Sequence, residues 1–281
     1  MTRVMDSEQL AHANPKVEAP IMGWVELLRT HELGVTLAAI PLRTGRQQLL
    51  EVGAGSGHQA ALLQKYGFNV TAVDLPTSRY ASNRVFPVID FDGKVLPFEN
   101  ESFDAVYSSH VLAQVSALEG LQKEMLRVLR PGGIAVHVVP TSSWRMWTSL
   151  LYYPGLPILA VREHRERKAA GRSLVKAQKG RSGFGHLLNE IRTSIFPRPL
   201  GPRGSAFDEF RLYFRQEWWT KQFREAGWEV QSVVSLNYFG SGQMLLRDRL
   251  SIAARTRMAR LFGSAASCYV LKKASAPSTF G

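Results

Sequence analysis

The sequence predicts a doubly wound α/β fold, a mostly parallel sheet with helices on both faces. Three observations predict it. Apolar β-rich runs alternate with helical segments from Gln47 to Val139. The first run ends in a carboxylate and three alternating glycines, Glu51-Val52-Gly53-Ala54-Gly55-Ser56-Gly57. The length of 281 residues, with 45% hydrophobic content, suffices for one large core with insertions.

Residues 1 to about 19 are polar and interrupted by Pro15, which predicts a mobile leader. Ile21 to Leu42 carries Leu27, Leu28, Leu33, Val35, Leu37 and Ile40, broken by Gly34 and Pro41. It predicts one or two helices over the sheet edge, with Trp24 and His31 as packing residues. Residues 1–45 are therefore a leader with N-terminal helices, and 46–281 one domain.

Within that domain a strand runs to Val52, and a helix from Gln59 to Tyr66 stops at Gly67, a natural C-cap. The next strand is Asn69 to Asp74. A short helix follows around Ser78 to Arg84, then strands Phe86 to Asp90 and Phe103 to Ser108. A helix from about Ala117 to Leu129 leads into the strand Gly133 to Val139. Thr141 to Ser205 is far longer than an ordinary connection of about 2–6 residues, so 141–205 reads as an inserted lid. Order returns with a helix ending at Gly227, a strand from Trp228 to Leu236, a second, basic helical insertion over 237–262, and a closing strand Ser267 to Leu271.

The glycine run explains itself through backbone access. Glycine reaches φ > 0 without strain and leaves no Cβ between the turn and a flat ligand. A dinucleotide fingerprint needs G-x-G-x-x-G, and His58 stands where its third glycine belongs, which weighs against NAD or FAD. Asp74, 23 positions after Glu51, is placed to accept from both hydroxyls of a ribose. Glu51, Asp74, Asp92 and Ser108 to His110 all fall at strand carboxyl ends, where one crevice can hold them together.

Four motifs in order carry a family resemblance: the glycine run, Phe91-Asp92-Gly93-Lys94-Val95-Leu96-Pro97-Phe98, Ser102-Phe103-Asp104-Ala105-Val106-Tyr107-Ser108-Ser109, and Leu126-Arg127-Val128-Leu129-Arg130-Pro131-Gly132-Gly133. From about Gln47 to Pro140 the chain resembles the class I S-adenosylmethionine-dependent methyltransferases. The resemblance implies a Rossmann-like sheet of seven strands with the last antiparallel, S-adenosyl-L-methionine as cofactor, and methyl transfer as the activity. It implies that Gly53, Gly55 and Gly57 let the methionine and ribose portion approach the backbone, and that Glu51 reaches the methionine ammonium directly or through water, ordering of the glycine turn being its other role. Asp74 would then take the ribose hydroxyls, Leu75 would lie against the adenine, and Asp92 with the Gly93 backbone would meet the adenine amino group, with Asp90 as the competing acceptor. Ser108 joins the cofactor set by its place at the fourth strand end.

Catalysis has one candidate, His110, a titratable group near neutral pH placed just past the fourth strand, with a structural or substrate-contact role as its alternative. Many resembling members carry Glu-His after the leucine that follows this strand, whereas Ala113 and Gln114 follow Leu112 here. That departure keeps open a protein that binds the cofactor without catalysis. No metal ligands are assigned.

Charge is unevenly placed. Up to Pro140, 12 Lys and Arg stand against 14 Asp and Glu, a balance of −2; from Thr141 onward 23 stand against 9, a balance of +14. Such asymmetry favours an anionic partner. The insert joins the aromatic stretch Trp144 to Tyr153 to a cationic run from Arg162 to Arg181. That combination suits a peptide resting on an anionic membrane, bases stacked beside neutralised phosphates, or a lid with a solvated basic tail. No RNA-binding module is recognisable, which ranks nucleic acid below a small-molecule or lipid-linked acceptor. The single cysteine, Cys268, and the lack of a secretory signal pattern predict a cytoplasmic setting, with peripheral membrane contact as the extension.

Overall fold

The structure is a computed structural model that describes residues 23–39, 47–155, 197–240 and 250–274. The expected leader, the cationic run from Arg162 to Arg181 and the C-terminal tail lie outside the described residues, as do the side chain of Trp24 and residues 241–249 of the second insertion.

Seven strands form one sheet: β1 (Gln48–Val52), β2 (Asn69–Asp74), β3 (Val88–Asp90), β4 (Phe103–Ser109), β5 (Leu129–Pro140), β6 (Trp228–Ser235) and β7 (Ala266–Lys273). Their order is β3-β2-β1-β4-β5-β7-β6. The pairs from β3 through β5 are parallel, and β7 runs antiparallel to both neighbours, as the resemblance implies. β1 pairs with β2 on one side and β4 on the other, so the chain reverses its winding direction there. Diverging connections at such a point open a crevice above the strand carboxyl ends.

The period-two alternation of the strands divides the core. Leu50, Val52, Val106 and Ala135 point to the face covered by α3 (Leu118–Val128) and α5 (Gln216–Glu225), where they meet Leu121, Met125, Trp219 and Phe223. Leu49, Ala105, Tyr107 and Val136 point to the other face, under α1 (Trp24–Ala39) and α2 (His58–Lys65), where they meet Leu28, Leu33 and Leu63. α6 (Ile252–Phe262) also reaches this second face through Ile252.

Three expectations are corrected. α1, the single helix of the two alternatives expected, runs through Gly34, but it lies over the middle of the sheet rather than its edge. Burial of Leu28 and Leu33 offsets the ~1 kcal/mol that a glycine costs within a helix. The helix expected at 78–84 is reduced to a single 3₁₀ turn at Ala81–Asn83. β5 begins at Leu129, because the Pro131-Gly132-Gly133 stretch stays in the strand as an irregularity in its pairing with β4.

The first part of the expected insertion is a helix, α4, over 142–155. The chain reappears at 197, and its return is fastened from within. Arg145 Nε lies 3.3 Å from Glu209 Oε2, both side chains being buried. Glu209 Oε1 accepts from the N–H groups of Leu200 and Gly201 at 2.7 and 2.9 Å. Arg203 donates to the carbonyls of Ala113 and Val115 at 3.1 and 2.6 Å, tying this return to the segment after β4. A capping box between Ser205 and Asp208 starts the next helical turn.

Candidate cofactor and active site

Gly53, Gly55 and Gly57 all have positive φ, at 76°, 59° and 78°, so each needs the left-handed backbone that glycine alone adopts freely. The turn lies over β2: the N–H groups of Gly53 and Ala54 donate to Val73 O at 2.8 and 3.0 Å. Only the place a Cβ would take at Gly55 faces open ring surface, that of Tyr80 at 3.3 Å. At Gly53 that place is taken by the Val111 side chain, and at Gly57 by Phe86 at 2.6 Å. Glycine at 53 and 57 therefore also serves the chain's own packing, which spacing alone does not reveal.

Asp74 is turned toward this loop. Its Oδ2 accepts from the Gly55 N–H at 2.8 Å and its Oδ1 from the Leu75 N–H at 2.8 Å. A carboxylate has about four lone-pair sites, so two stay open for hydroxyl donors. Glu51 is buried beneath, and its Oε2 has no hydrogen-bond partner among the described residues. Burial, with the charge of Asp74 added, pushes the Glu51 carboxyl up to about 8 against the restraining N–H of Ala60. A buried acceptor without a donor, next to a second carboxylate, suits an incoming ammonium group.

Leu75 and Gly93 are brought together: a Cβ on Gly93, whose φ is 79°, would stand 2.9 Å from Leu75 Cδ2. The loop that carries Gly93 is tied to α3 by Arg127, which donates to the carbonyls of Phe98 and Leu96 at 2.7 and 3.0 Å. Asp92 is exposed, and its Oδ1 accepts from the N–H groups of Lys94 and Val95 at 2.8 and 2.9 Å. It shapes its own turn and keeps Oδ2 for other donors. Asp90, the competing acceptor, pairs with Arg84 at 2.6 Å.

Ser108 does not join the crevice through its side chain. Its hydroxyl is buried and lies 2.8 Å from His137 Nδ1, a histidine that burial drives down to about 3 and keeps neutral. The alternation of β4 puts residue 108 in the core, so only its backbone is available above the sheet.

His110 turns the other way, toward α1. Its Nε2 lies 2.9 Å from Oε1 of Glu32, a side chain with 0% exposure that also takes Arg29 Nη1 at 2.6 Å and the hydroxyl of Tyr238. Burial opposes ionisation of Glu32, yet Arg29, His110 and Tyr238 together hold its carboxyl well below the usual range. Burial and then the Arg29 charge lower His110 against the pull of Glu32, so its imidazole is neutral at neutral pH. Sequence reasoning passed over Arg29, Glu32 and Tyr238. Glu32 lies 78 positions from His110 and 206 from Tyr238, and only a carboxylate in the middle of an apolar helix, three positions after Arg29, hinted at them.

Residues 50–137 match the family described as methyltransferase domain. The demethylmenaquinone methyltransferase of Beutenbergia cavernae is 40% identical over 121 residues, which is 41% of this chain and 50% of that protein. The enzyme of the same name from Renibacterium salmoninarum is 38% identical over 91 residues, 31% of this chain and 38% of its own. The match thus spans half or less of these relatives. An S-adenosylmethionine-dependent methyltransferase structure from Mesorhizobium loti superposes with a TM-score of 0.51 over 88% of this chain and all of that one, at 16% identity. Residues 50–137 are thus similar to a methyltransferase domain, and the seven-stranded sheet built around them has the fold of the class I S-adenosylmethionine-dependent methyltransferases.

Proposed function

We propose that this protein transfers a methyl group from S-adenosylmethionine to a small-molecule or lipid-linked acceptor. The observation that carries the reading is the unpartnered, buried Oε2 of Glu51 beneath a left-handed glycine turn that Asp74 braces. S-adenosylmethionine supplies an electrophilic methyl on a sulfonium centre. Glu51 holds the ammonium, Asp74 accepts from the ribose hydroxyls, and Leu75 with Gly93 forms a wall for the adenine, whose amino group meets the remaining oxygen of Asp92. Holding the two reactants in line is a large part of the chemistry, and a base is required where the acceptor atom carries a tightly held proton. His110 is that base in this reading.

The acceptor class draws on two supports. Similar proteins bear the name demethylmenaquinone methyltransferase. On this chain, α4 and α6 meet where Trp147 Nε1 donates to Phe262 O at 2.9 Å, and around that joint Leu150, Tyr153 and Leu261 are exposed, Leu261 by 81%. Arg257 and Arg260 stand exposed on the same helix as Leu261. Apolar side chains rimmed by arginine favour an acidic lipid surface as the place where the acceptor is met. No described helix is long and apolar enough to cross a membrane.

Calorimetric titration with S-adenosylhomocysteine tests the cofactor. Saturable heat is expected, and its absence at protein concentrations well above micromolar would overturn the reading.

A further inference from the structure

The cluster around Glu32 reaches past cofactor binding, though its catalytic meaning rests on the methyl-transfer reading above. We propose that Glu32 is a positioning residue for His110, fixing the imidazole as the Nε2–H tautomer so that Nδ1 is left as the proton acceptor.

The argument is one of donors and acceptors. An ionised carboxylate only accepts, so His110 Nε2, 2.9 Å from Glu32 Oε1, must carry the hydrogen. A neutral imidazole has one N–H, which leaves Nδ1 bare. Among the described residues Nδ1 has no hydrogen-bond partner, and 17% of the His110 side chain is exposed. Glu32 in turn is held by Arg29 and by the Tyr238 hydroxyl, so three donors converge on one buried carboxylate.

The backbone keeps the ring at Glu32. His110 has φ 58°, a left-handed conformation that is unfavourable for a non-glycine residue. It is held there from both sides: its N–H donates to Val138 O at 2.8 Å, and its carbonyl accepts from Gln114 Nε2 at 2.9 Å. The twist takes residue 110 out of the strand alternation that buries Ser108 and delivers its ring to α1. Gln114, at the place where the resemblance had led one to look for a catalytic pair, acts here on the backbone.

The chemistry balances. As the acceptor atom bonds to the methyl carbon and the methyl–sulfur bond breaks, the electron pair of that bond stays on sulfur. His110 Nδ1 takes the acceptor's proton. The resulting imidazolium lies against Glu32 and later returns the proton to water. The charged or titratable groups facing His110 are Glu32 and Arg29 from α1 and Tyr238 from the segment after β6, with His31 set edge-on behind Tyr238 at 6.2 Å.

The test uses the full chain with ¹⁵N-labelled histidine, the His110 signals being assigned by their loss in His110→Gln. In the unsubstituted protein His110 should be the Nε2–H tautomer at neutral pH. Glu32→Gln removes the charge that raises His110 and should lower its titration by about one unit and mix the tautomers; Arg29→Gln removes the charge that lowers it and should move it about one unit up. Arg29 is 30% exposed, so its variant supplies the answer should Glu32→Gln fail to fold. Carbethoxylation of His110 by diethylpyrocarbonate, read by mass spectrometry, should be blocked by S-adenosylhomocysteine. An Nδ1–H tautomer, no shift in either variant, or modification that bound S-adenosylhomocysteine leaves unaffected would overturn the proposal. Absence of S-adenosylhomocysteine binding would instead overturn the methyl-transfer reading.

Discussion

Glu51 is a carboxylate placed for a charge that the described residues do not supply. With its pKa pushed to about 8 it is mostly protonated at pH 7, and pairing with an ammonium must expel that proton. Affinity for S-adenosylhomocysteine should therefore rise on the order of tenfold between pH 6 and 7.5, with proton release seen as a dependence of the calorimetric heat on the buffer. Glu51→Gln should flatten that dependence and weaken binding at pH 7.5. The sign for stability is the reverse. A carboxyl raised from 4.5 to about 8 favours the ligand-free fold below the lower value, and that contribution is lost as pH rises through the upper one. Gly53 gives a second expectation at this scale. An alanine there would need a left-handed backbone and would meet Val111, so Gly53→Ala should cost about 2–4 kcal/mol in urea unfolding and abolish cofactor heat.

At the scale of elements, the crevice is held by ties between segments rather than by loops alone. Arg127 on α3 reaches the carbonyls of Leu96 and Phe98 and both oxygens of Glu124, and Glu124 Oε2 accepts from the Leu96 N–H at 2.9 Å. This knot fixes the loop on which Asp92 and Gly93 stand. Arg127→Ala should cost about 2 kcal/mol by urea unfolding, and the released loop should weaken S-adenosylhomocysteine binding severalfold while the sheet stays intact by circular dichroism. Arg203 does the same for the segment after β4 through the carbonyls of Ala113 and Val115. The Pro197 to Ala206 run, which carries no chemistry readable from sequence, thus acts as a fastening between the end of the insertion and the neighbourhood of His110.

For the whole molecule the decisive feature is polarity from end to end of the chain, a balance of −2 before Thr141 and +14 after it. The exposed apolar joint of α4 and α6 falls in the cationic part. The protein should float with vesicles containing acidic phospholipid, release in high salt, and stay behind with neutral vesicles. Leu150→Ser with Leu261→Ser should reduce flotation without changing S-adenosylhomocysteine affinity. Absence from both vesicle types, together with a salt-dependent shift of RNA fragments, would replace the lipid surface with nucleic acid.

Much of this was legible because it is local. The alternation of strand and helix, the glycine turn and the carboxylates at strand ends obey short-range rules of backbone freedom and hydrophobic period, so the sequence by itself determined the sheet and the residues around its switch point. Tertiary structure decided what no spacing encodes. It turned the Ser108 hydroxyl into the core, spent one oxygen of Asp92 on its own turn, carried α1 to the middle of the sheet, and joined Glu32 to His110 and Tyr238 across gaps of 78 and 206 residues. The physical reason is that a buried carboxylate is stable only where donors converge on it, and those donors come from whichever segments the packing brings near.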